Sequence, residues 1–155
     1  GQRYPNIEHR VELFDALLAK IILKPSDFGI VLCLNEYGDF LSDMAGGLVG
    51  SLGIGASGSY SFEDDGRPRV AMFDPAGGTA PDIAGQGRCN PSAALLAFGM
   101  LLDHVDRYDL GHALRLSLLA CIAEGVSTAD IGGRLGTADF TAEVVSRLRA
   151  RLATE

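Results

Sequence analysis

The chain lacks tryptophan altogether and has only two lysines, Lys20 and Lys24, among its 155 residues. Its 20 acidic residues outnumber the 13 basic ones, so the formal net charge is −7. Nucleic-acid binding requires concentrated positive charge to neutralise phosphates, and this balance argues against such a partner. The longest nearly apolar run, Ala93 to Leu102, is shorter than the ~20 residues that cross a bilayer, so no membrane span is expected.

Cysteine is scarce as well. Cys33, Cys89 and Cys121 lie far apart, cannot all pair within one chain, and lack the spacing of a zinc site. The N-terminal residues contain no apolar signal core. Reduced thiols and a cytoplasmic location are the simplest expectation. With 47% apolar and 21% charged residues, the chain is expected to fold rather than to be disordered.

Glycine, by contrast, is abundant: 20 residues, of which 11 fall between Gly46 and Gly87. This concentration predicts irregular loops in the middle of the chain, where backbone can approach a ligand closely. Apolar residues at helical spacing predict helices on either side. The five predicted helices are Val11–Leu23, Phe40–Leu52, Pro91–His104, Leu110–Ala123 and Phe140–Leu152. Thr137 or Thr141 is expected to cap the last of them.

Two segments are predicted to be strands. The run FGIVLCL, Phe28 to Leu34, is typical of a strand buried on both faces, and Val70 to Phe73 is a shorter candidate. A complete sheet has ~5–6 strands. The sequence therefore predicts an α/β fold, rich in helix, with a short and incomplete sheet. Either further strands lie in the glycine-rich middle, or the chain is part of something larger.

A glycine motif at Gly53 to Gly58 matches G-x-G-x-x-G but lacks the context of a dinucleotide fingerprint. That fingerprint follows a strand and opens a helix. Here a predicted helix precedes the motif, and Ser59 to Phe62 has the pattern of an extended segment. The motif is interpreted as a flexible loop.

Two carboxylates closely follow the first predicted strand. Asp39 and Asp43 are four residues apart, so they share one face if the segment is helical. Their mutual repulsion would be relieved by a cation, and carboxylate oxygens suit Mg²⁺ or Mn²⁺. The alternative for Asp39 is local: an acidic residue at a helix start that interacts with free N–H groups.

Three segments carry a family resemblance. NEYGDFLSD (35–43), GSLGIGAS (50–57) and FDPAGGTAPDIAGQGRCNPSAALLAFGMLL (73–102) resemble, in order and spacing, the β-decarboxylating dehydrogenases that act on isocitrate, 3-isopropylmalate, homoisocitrate and tartrate. The ending GTADFTAEVVSRL (136–148) is similar too. The resemblance covers essentially the whole chain and implies a partial isopropylmalate-dehydrogenase-like fold, the C-terminal half of such a subunit. It assigns residues 1–52 to the smaller, dimer-forming domain and 53–155 to the larger, cofactor-binding domain, with the possibility that they pack as one unit.

The resemblance also implies a metal site. The family uses Mg²⁺ or Mn²⁺ with NAD or NADP to oxidise a 2-hydroxy acid to a 2-keto acid, often followed by loss of a β-carboxylate. By position, Asp39 and Asp43 would bind the cation from one subunit. Asp15 would reach it from the neighbouring subunit, which implies a homodimer. The local alternative for Asp15 is a solvated acid on a helix face.

A cofactor loop is the second implication. Asp82 corresponds to the acid that binds the adenine ribose, and Asn90 to a residue near the adenine. An acid at that point repels a 2′-phosphate, so NAD is favoured over NADP. Gly77 stands where the family has a histidine that packs on the adenosine, which predicts weak NAD binding. The loop positions expected to bind cofactor are Asp74, Gly78, Ala80, Asp82 and Asn90.

Asp82 and Asn90 also have local interpretations that do not exclude a cofactor role. Asp82 follows a proline and could be a turn acid, while Asn90 precedes Pro91 and could cap the helix after it.

The catalytic lysine and tyrosine and the substrate-binding arginines belong, by resemblance, to an N-terminal half that this sequence does not match. Neither of its two lysines corresponds to the catalytic position, so no catalytic residue is assigned. The resemblance thus implies a C-terminal portion or truncated relative of an NAD- and Mg²⁺/Mn²⁺-dependent 2-hydroxy-acid dehydrogenase, inactive alone. A separately encoded N-terminal half is a possible partner. The alternative function is a non-catalytic module that dimerises for binding or regulation.

Overall fold

The computed structural model describes residues 4–153, which divide after Leu48 into two compact units. The smaller unit has two helices, and the larger has a two-stranded sheet and three helices, in agreement with a helix-rich α/β fold. No helix in the described range is long and apolar enough to cross a membrane. The helices are α1 (Phe14–Leu23), α2 (Asn35–Leu48), α3 (Ser92–His104), α4 (Tyr108–Ala123) and α5 (Thr137–Leu152), and the strands are β1 (Ala56–Phe62) and β2 (Pro68–Pro75).

The smaller unit buries few side chains. Leu17 of α1 and Leu41 of α2 are its buried apolar residues within the described range, and the rings of Phe14 and Tyr37 lie 4.6 Å apart. Both helices are offset from their predicted bounds, because α1 begins three residues later and α2 begins at Asn35. Helix α2 therefore includes the polar NEYGD segment, which the sequence analysis placed between a strand and a helix.

The predicted strand from Phe28 to Leu34 is wrong. The segment has no strand pairing within residues 4–153, and Ile30 and Leu32 are 95% and 97% exposed. An apolar run forms a buried strand when neighbouring strands supply backbone hydrogen bonds and neighbouring elements cover its side chains. Nothing in the described part of the chain supplies either, so the apolar pattern is present without the structure it normally accompanies.

The larger unit is built on α4 and α5. Leu114, Leu118 and Cys121 fall on one face of α4, and Phe140 and Val144 share one face of α5. These five residues form the buried core cluster.

A bidentate ion pair ties α3 to α4. Arg115 of α4 donates to both carboxylate oxygens of Asp103 of α3, at 2.7 and 3.2 Å. Ala93 and Ala97 are buried on α3. The pair joins the C-terminal end of α3 to α4.

The sheet is a β1–β2 antiparallel hairpin. It contains both Ser59–Phe62, predicted as extended, and Val70–Phe73, predicted as a strand, so these two expectations are confirmed. The glycine motif lies on a short 3₁₀ turn (Leu52–Ile54) and the first residues of β1, and no helix opens at its end. That context agrees with the rejection of a dinucleotide fingerprint. The flexible loop expected there is wrong for the second half of the motif, because Ala56–Gly58 pair with β2 as the first residues of β1.

Gly133 offers a test of the α4–α5 connection. A Cβ added there would overlap the backbone carbonyl of Ser127, which cannot move aside like a flexible side chain. We expect Gly133→Ala to lower the free energy of unfolding by about 1–3 kcal/mol, measured by chemical denaturation followed by circular dichroism. Gly78→Ala is the matched control because a Cβ there meets open space. Equal stability of the two variants would contradict this packing.

Candidate functional site

The acidic face of α2 carries two of the predicted metal ligands. Asp39 and Asp43 lie one helical turn apart and both are exposed. Neither carboxylate has an ion-pair or hydrogen-bond partner within residues 4–153. The first helical turn contains Glu36, whereas Asp39 lies beyond it, so the helix-start role weighed for Asp39 does not apply. Two unengaged carboxylates on one face suit a hard divalent cation.

Asp15 belongs to a different helix and is engaged locally. It lies exposed in the first turn of α1, where its Oδ1 accepts a hydrogen bond of 2.7 Å from the backbone N–H of Ala16. Among the described residues no three His, Cys, Asp or Glu side chains come together as a metal site. The three predicted ligands are therefore not brought together as one site within residues 4–153.

The predicted cofactor loop follows β2 directly. Asp74, near the end of β2, pairs with Ser57 of β1. Residues 76–90, called here the 76–90 loop, contain two consecutive turns, closed by backbone hydrogen bonds from Ile83 to Ala80 and from Gln86 to Ile83.

Backbone of unusual conformation is concentrated in this loop. Ala80 has φ +39°, a left-handed value that costs a non-glycine residue energy and is often found at functional sites. Gly85 and Gly87, at +75° and +66°, adopt such values without cost. The Asp82 carboxylate is exposed, and space beside Gly78 is open. An open cradle with one available acid suits a nucleotide's ribose.

Asn90, by contrast, is 7% exposed and engaged through both ends of its amide. Its Oδ1 accepts a 2.9 Å hydrogen bond from the backbone N–H of Ser92, at the start of α3. Its Nδ2 donates to Oδ2 of Asp130, also at 2.9 Å. Asn90 therefore accepts a hydrogen bond at the start of the helix, although the N-cap residue itself is Pro91.

Asp130 is a residue that the sequence analysis missed. Its Oδ2 also accepts a hydrogen bond from the hydroxyl of Ser51, which in turn accepts one from the backbone N–H of Gly53 at 2.9 Å. Partial desolvation alone would raise the pKa of Asp130, but the hydrogen bonds from neighbours such as Ser51 and Asn90 outweigh it and hold that pKa below its usual value of 3.8. The carboxylate is therefore charged at neutral pH.

A second attachment of the loop comes from α5, and it corrects the expected capping role of Thr137. The hydroxyl of Thr137 donates to the backbone oxygen of Cys89 at 2.6 Å. The backbone N–H of Thr137 donates to the backbone oxygen of Gly87 at 2.8 Å. The N-cap residue is Gly136, which has no side chain to cap with, and Thr141 donates to the carbonyl of Thr137 inside the helix. Thr137 therefore joins α5 to the loop instead of capping its own helix.

Comparison with known proteins identifies relatives. The family model described as isocitrate/isopropylmalate dehydrogenase matches residues 1–144. A probable tartrate dehydrogenase/decarboxylase from Bacillus subtilis is 38% identical over 94% of this chain and 40% of its own length. A mitochondrial regulatory subunit of NAD isocitrate dehydrogenase from Dictyostelium discoideum is 33% identical over 97% of this chain and 41% of its own length.

Solved structures give the same result. The crystal structure of isocitrate dehydrogenase from Methylococcus capsulatus matches with a TM-score of 0.83 and 32% identity, over 96% of this chain and 43% of that one. This chain therefore spans about two fifths of the length of the relatives it matches.

Proposed function

Because this chain belongs to the isocitrate/isopropylmalate dehydrogenase family, we propose that it is the C-terminal portion of a 2-hydroxy-acid dehydrogenase that uses NAD and Mg²⁺ or Mn²⁺. Its role is to supply metal-binding carboxylates and the loop for the adenosine half of the cofactor. The main support is that the family match spans both Asp39–Asp43 and the 76–90 loop, and that the carboxylates of Asp39, Asp43 and Asp82 are exposed. Substrate recognition and proton transfer would come from polypeptide outside the matched two fifths.

On the metal side, Asp39 and Asp43 would bind the cation through their exposed face of α2. A divalent cation held there supplies Lewis-acid polarisation of the substrate's carbonyl group. The two carboxylates concentrate negative charge where a cation and a substrate anion must meet, and neither is diverted to an ion pair within residues 4–153. Asp15 would add a third carboxylate from a neighbouring copy.

On the nucleotide side, the Asp82 carboxylate would accept hydrogen bonds from the ribose hydroxyls and repel a 2′-phosphate, which favours NAD. Asp74, Gly78 and Ala80 would line the adenosine, with Gly78 allowing close approach. Asn90 would act near the adenine through backbone, since both ends of its side-chain amide are engaged within the protein.

A homodimer would complete the smaller unit. Besides Leu17 and Leu41, its described apolar side chains are half-buried or exposed, and the exposed ones include Leu13, Ile22, Leu23, Phe40 and Leu48. Isologous pairing of α1 and α2 with a second copy would cover such residues on both subunits simultaneously. The same pairing would bring Asp15 of one copy towards the α2 acids of the other.

A non-catalytic regulatory module is the second candidate, favoured by two observations. One relative is named as a regulatory subunit. In addition, Gly77 replaces the histidine expected to pack on the adenosine, which weakens the case for tight NAD binding. If the chain binds Mn²⁺ but does not bind NAD, the non-catalytic alternative is favoured over the dehydrogenase portion.

The first expected result concerns activity. The purified chain should give no measurable NAD reduction with isocitrate, isopropylmalate, malate or tartrate plus Mg²⁺, because it offers no assigned proton carrier. Absorbance of NADH measures this, with a full-length family enzyme as positive control. Turnover by the chain alone would contradict the division of labour proposed here.

The second expected result concerns the metal. Mn²⁺ should bind loosely, because such sites depend partly on substrate oxygens. Calorimetry should detect weaker binding for Asp43→Asn than for the parent. Asp64→Asn removes the same charge from the exposed β1–β2 turn and is the matched control. If Asp43→Asn and Asp64→Asn bind Mn²⁺ equally, the α2 face is not a metal site.

The third expected result concerns assembly. Leu17→Arg would test folding rather than dimerisation, because Leu17 is only 6% exposed within its own unit. Phe40 is 62% exposed, so Phe40→Arg should convert a dimer to monomers without unfolding the chain. Val70→Arg, at an exposed apolar site of the larger unit, is the control. Light scattering that reports a monomeric parent across a concentration series would refute the dimer and the role of Asp15 in a second copy.

A further inference from the structure

We propose that Asp130 is a positioning residue for nucleotide binding: through Asn90 and Ser51 it holds the end of the 76–90 loop in the conformation that receives the adenosine. The inference rests on the proposed function of that loop, and it assigns no direct ligand contact to Asp130.

One carboxylate oxygen of Asp130 connects segments that are distant in the sequence. Oδ2 of Asp130 accepts hydrogen bonds from Ser51, 79 residues earlier, and from Asn90, 40 residues earlier. The hydroxyl oxygen of Ser51 accepts a hydrogen bond from the backbone N–H of Gly53, and Oδ1 of Asn90 accepts one from the backbone N–H of Ser92. The 3₁₀ turn before β1, the end of the loop and the start of α3 are thus attached to the turn Ala129–Ile131.

The packing of Gly53 against Asn90 leaves little room for either residue to move. A Cβ on Gly53 would lie 2.9 Å from the Cβ of Asn90, closer than such atoms normally approach. Asn90 is itself buried, so a lost partner for its Nδ2 could not easily be replaced by solvent. The orientation of Asn90 therefore depends on the acceptor that Asp130 provides.

Apart from Asn90, the loop is attached near its two ends, and at the start the backbone N–H of Ala76 donates to the carbonyl of Gly55 at 2.9 Å. Near the end of the loop, Thr137 donates hydrogen bonds to the carbonyls of Gly87 and Cys89, next to Asn90. The side-chain bond of Gln86 to the Asp82 carbonyl lies within the exposed part of the loop. The exposed part, which contains Asp82, lies between the bond of Ala76 at its start and the bonds of Thr137 and Asn90 at its end, so loosening Asn90 should let Asp82 sample other positions.

The charge of Asp130 suits this role. No Lys, Arg or His side chain pairs with it within the described chain, so its hydrogen bonds come from neutral donors. An ionised acceptor strengthens such bonds relative to a neutral one. Asparagine at position 130 retains one acceptor oxygen and should rescue part of the effect, whereas alanine retains none.

The test uses the full chain and three variants: Asp130→Ala, Asp130→Asn and the control Asp64→Ala. Amide hydrogen exchange without nucleotide reports on the attachment itself. In Asp130→Ala, exchange at Gly53 and Ser92 should accelerate about tenfold, corresponding to a lost hydrogen bond to a charged group. Exchange at Phe140 and Val144 should be unchanged, which shows that the core remains folded. Asp64→Ala should match the parent throughout.

NADH binding, followed by fluorescence, reports on the function. We expect Kd to rise about fivefold to tenfold in Asp130→Ala, less in Asp130→Asn, and not at all in Asp64→Ala. Unchanged exchange at Gly53 and Ser92 would overturn the attachment. A parent that binds NADH, with Asp130→Ala binding equally well, would overturn the inference alone. A parent that does not bind NADH would overturn both the inference and the nucleotide part of the proposed function.

Discussion

The packing of α5 against α4 is the interaction on which the larger unit depends. Phe140 and Val144 are fully buried against Leu118 and Cys121. This contact fixes both ends of the connection between the helices, which is a compact turn closed by hydrogen bonds from Gly133 to Thr128 and from Leu135 to Ser127. Asp130 lies inside that turn and Thr137 shortly after it. Both attachments at the end of the 76–90 loop therefore begin from a buried helical core, although most of the loop is exposed.

The smaller unit, in contrast, has little buried core of its own. Its buried apolar residues within the described range are Leu17 and Leu41, while Ile30 and Leu32 lie in water. Exposed apolar surface on this scale is a liability in isolation and typical of an interface. The α2 carboxylates belong to this same unit, so the proposed metal chemistry and the proposed assembly share one small structural element. A chain spanning two fifths of its relatives' length would be expected to leave such surface uncovered.

The sequence predicts best where structure is local. Each of the five predicted helices overlaps a helix within residues 4–153, although α2 begins five residues earlier than predicted, and the predicted strand Val70–Phe73 lies within β2. The strand expected at Phe28–Leu34 failed because pairing depends on neighbours that the sequence pattern cannot guarantee. Thr137 failed as a cap because its hydroxyl instead binds the carbonyl of Cys89, 48 residues away. The candidate site divides in the same way. The spacing of Asp39 and Asp43 predicted their shared helical face. Asp130 was missed because the residues it joins, Asn90 and Ser51, are 40 and 79 residues distant in the sequence.

The central claim is that the 76–90 loop recognises the adenosine half of NAD, and nuclear magnetic resonance tests it most directly. Titration of the isotope-labelled chain with NAD should shift backbone amides within the loop, around Asp82, and leave the α4–α5 core unchanged. NADP should cause smaller shifts, because its 2′-phosphate meets the Asp82 carboxylate, and Asp82→Asn should reduce that difference. Shifts confined to other parts of the chain, or equal responses to the two cofactors in the parent, would contradict the account.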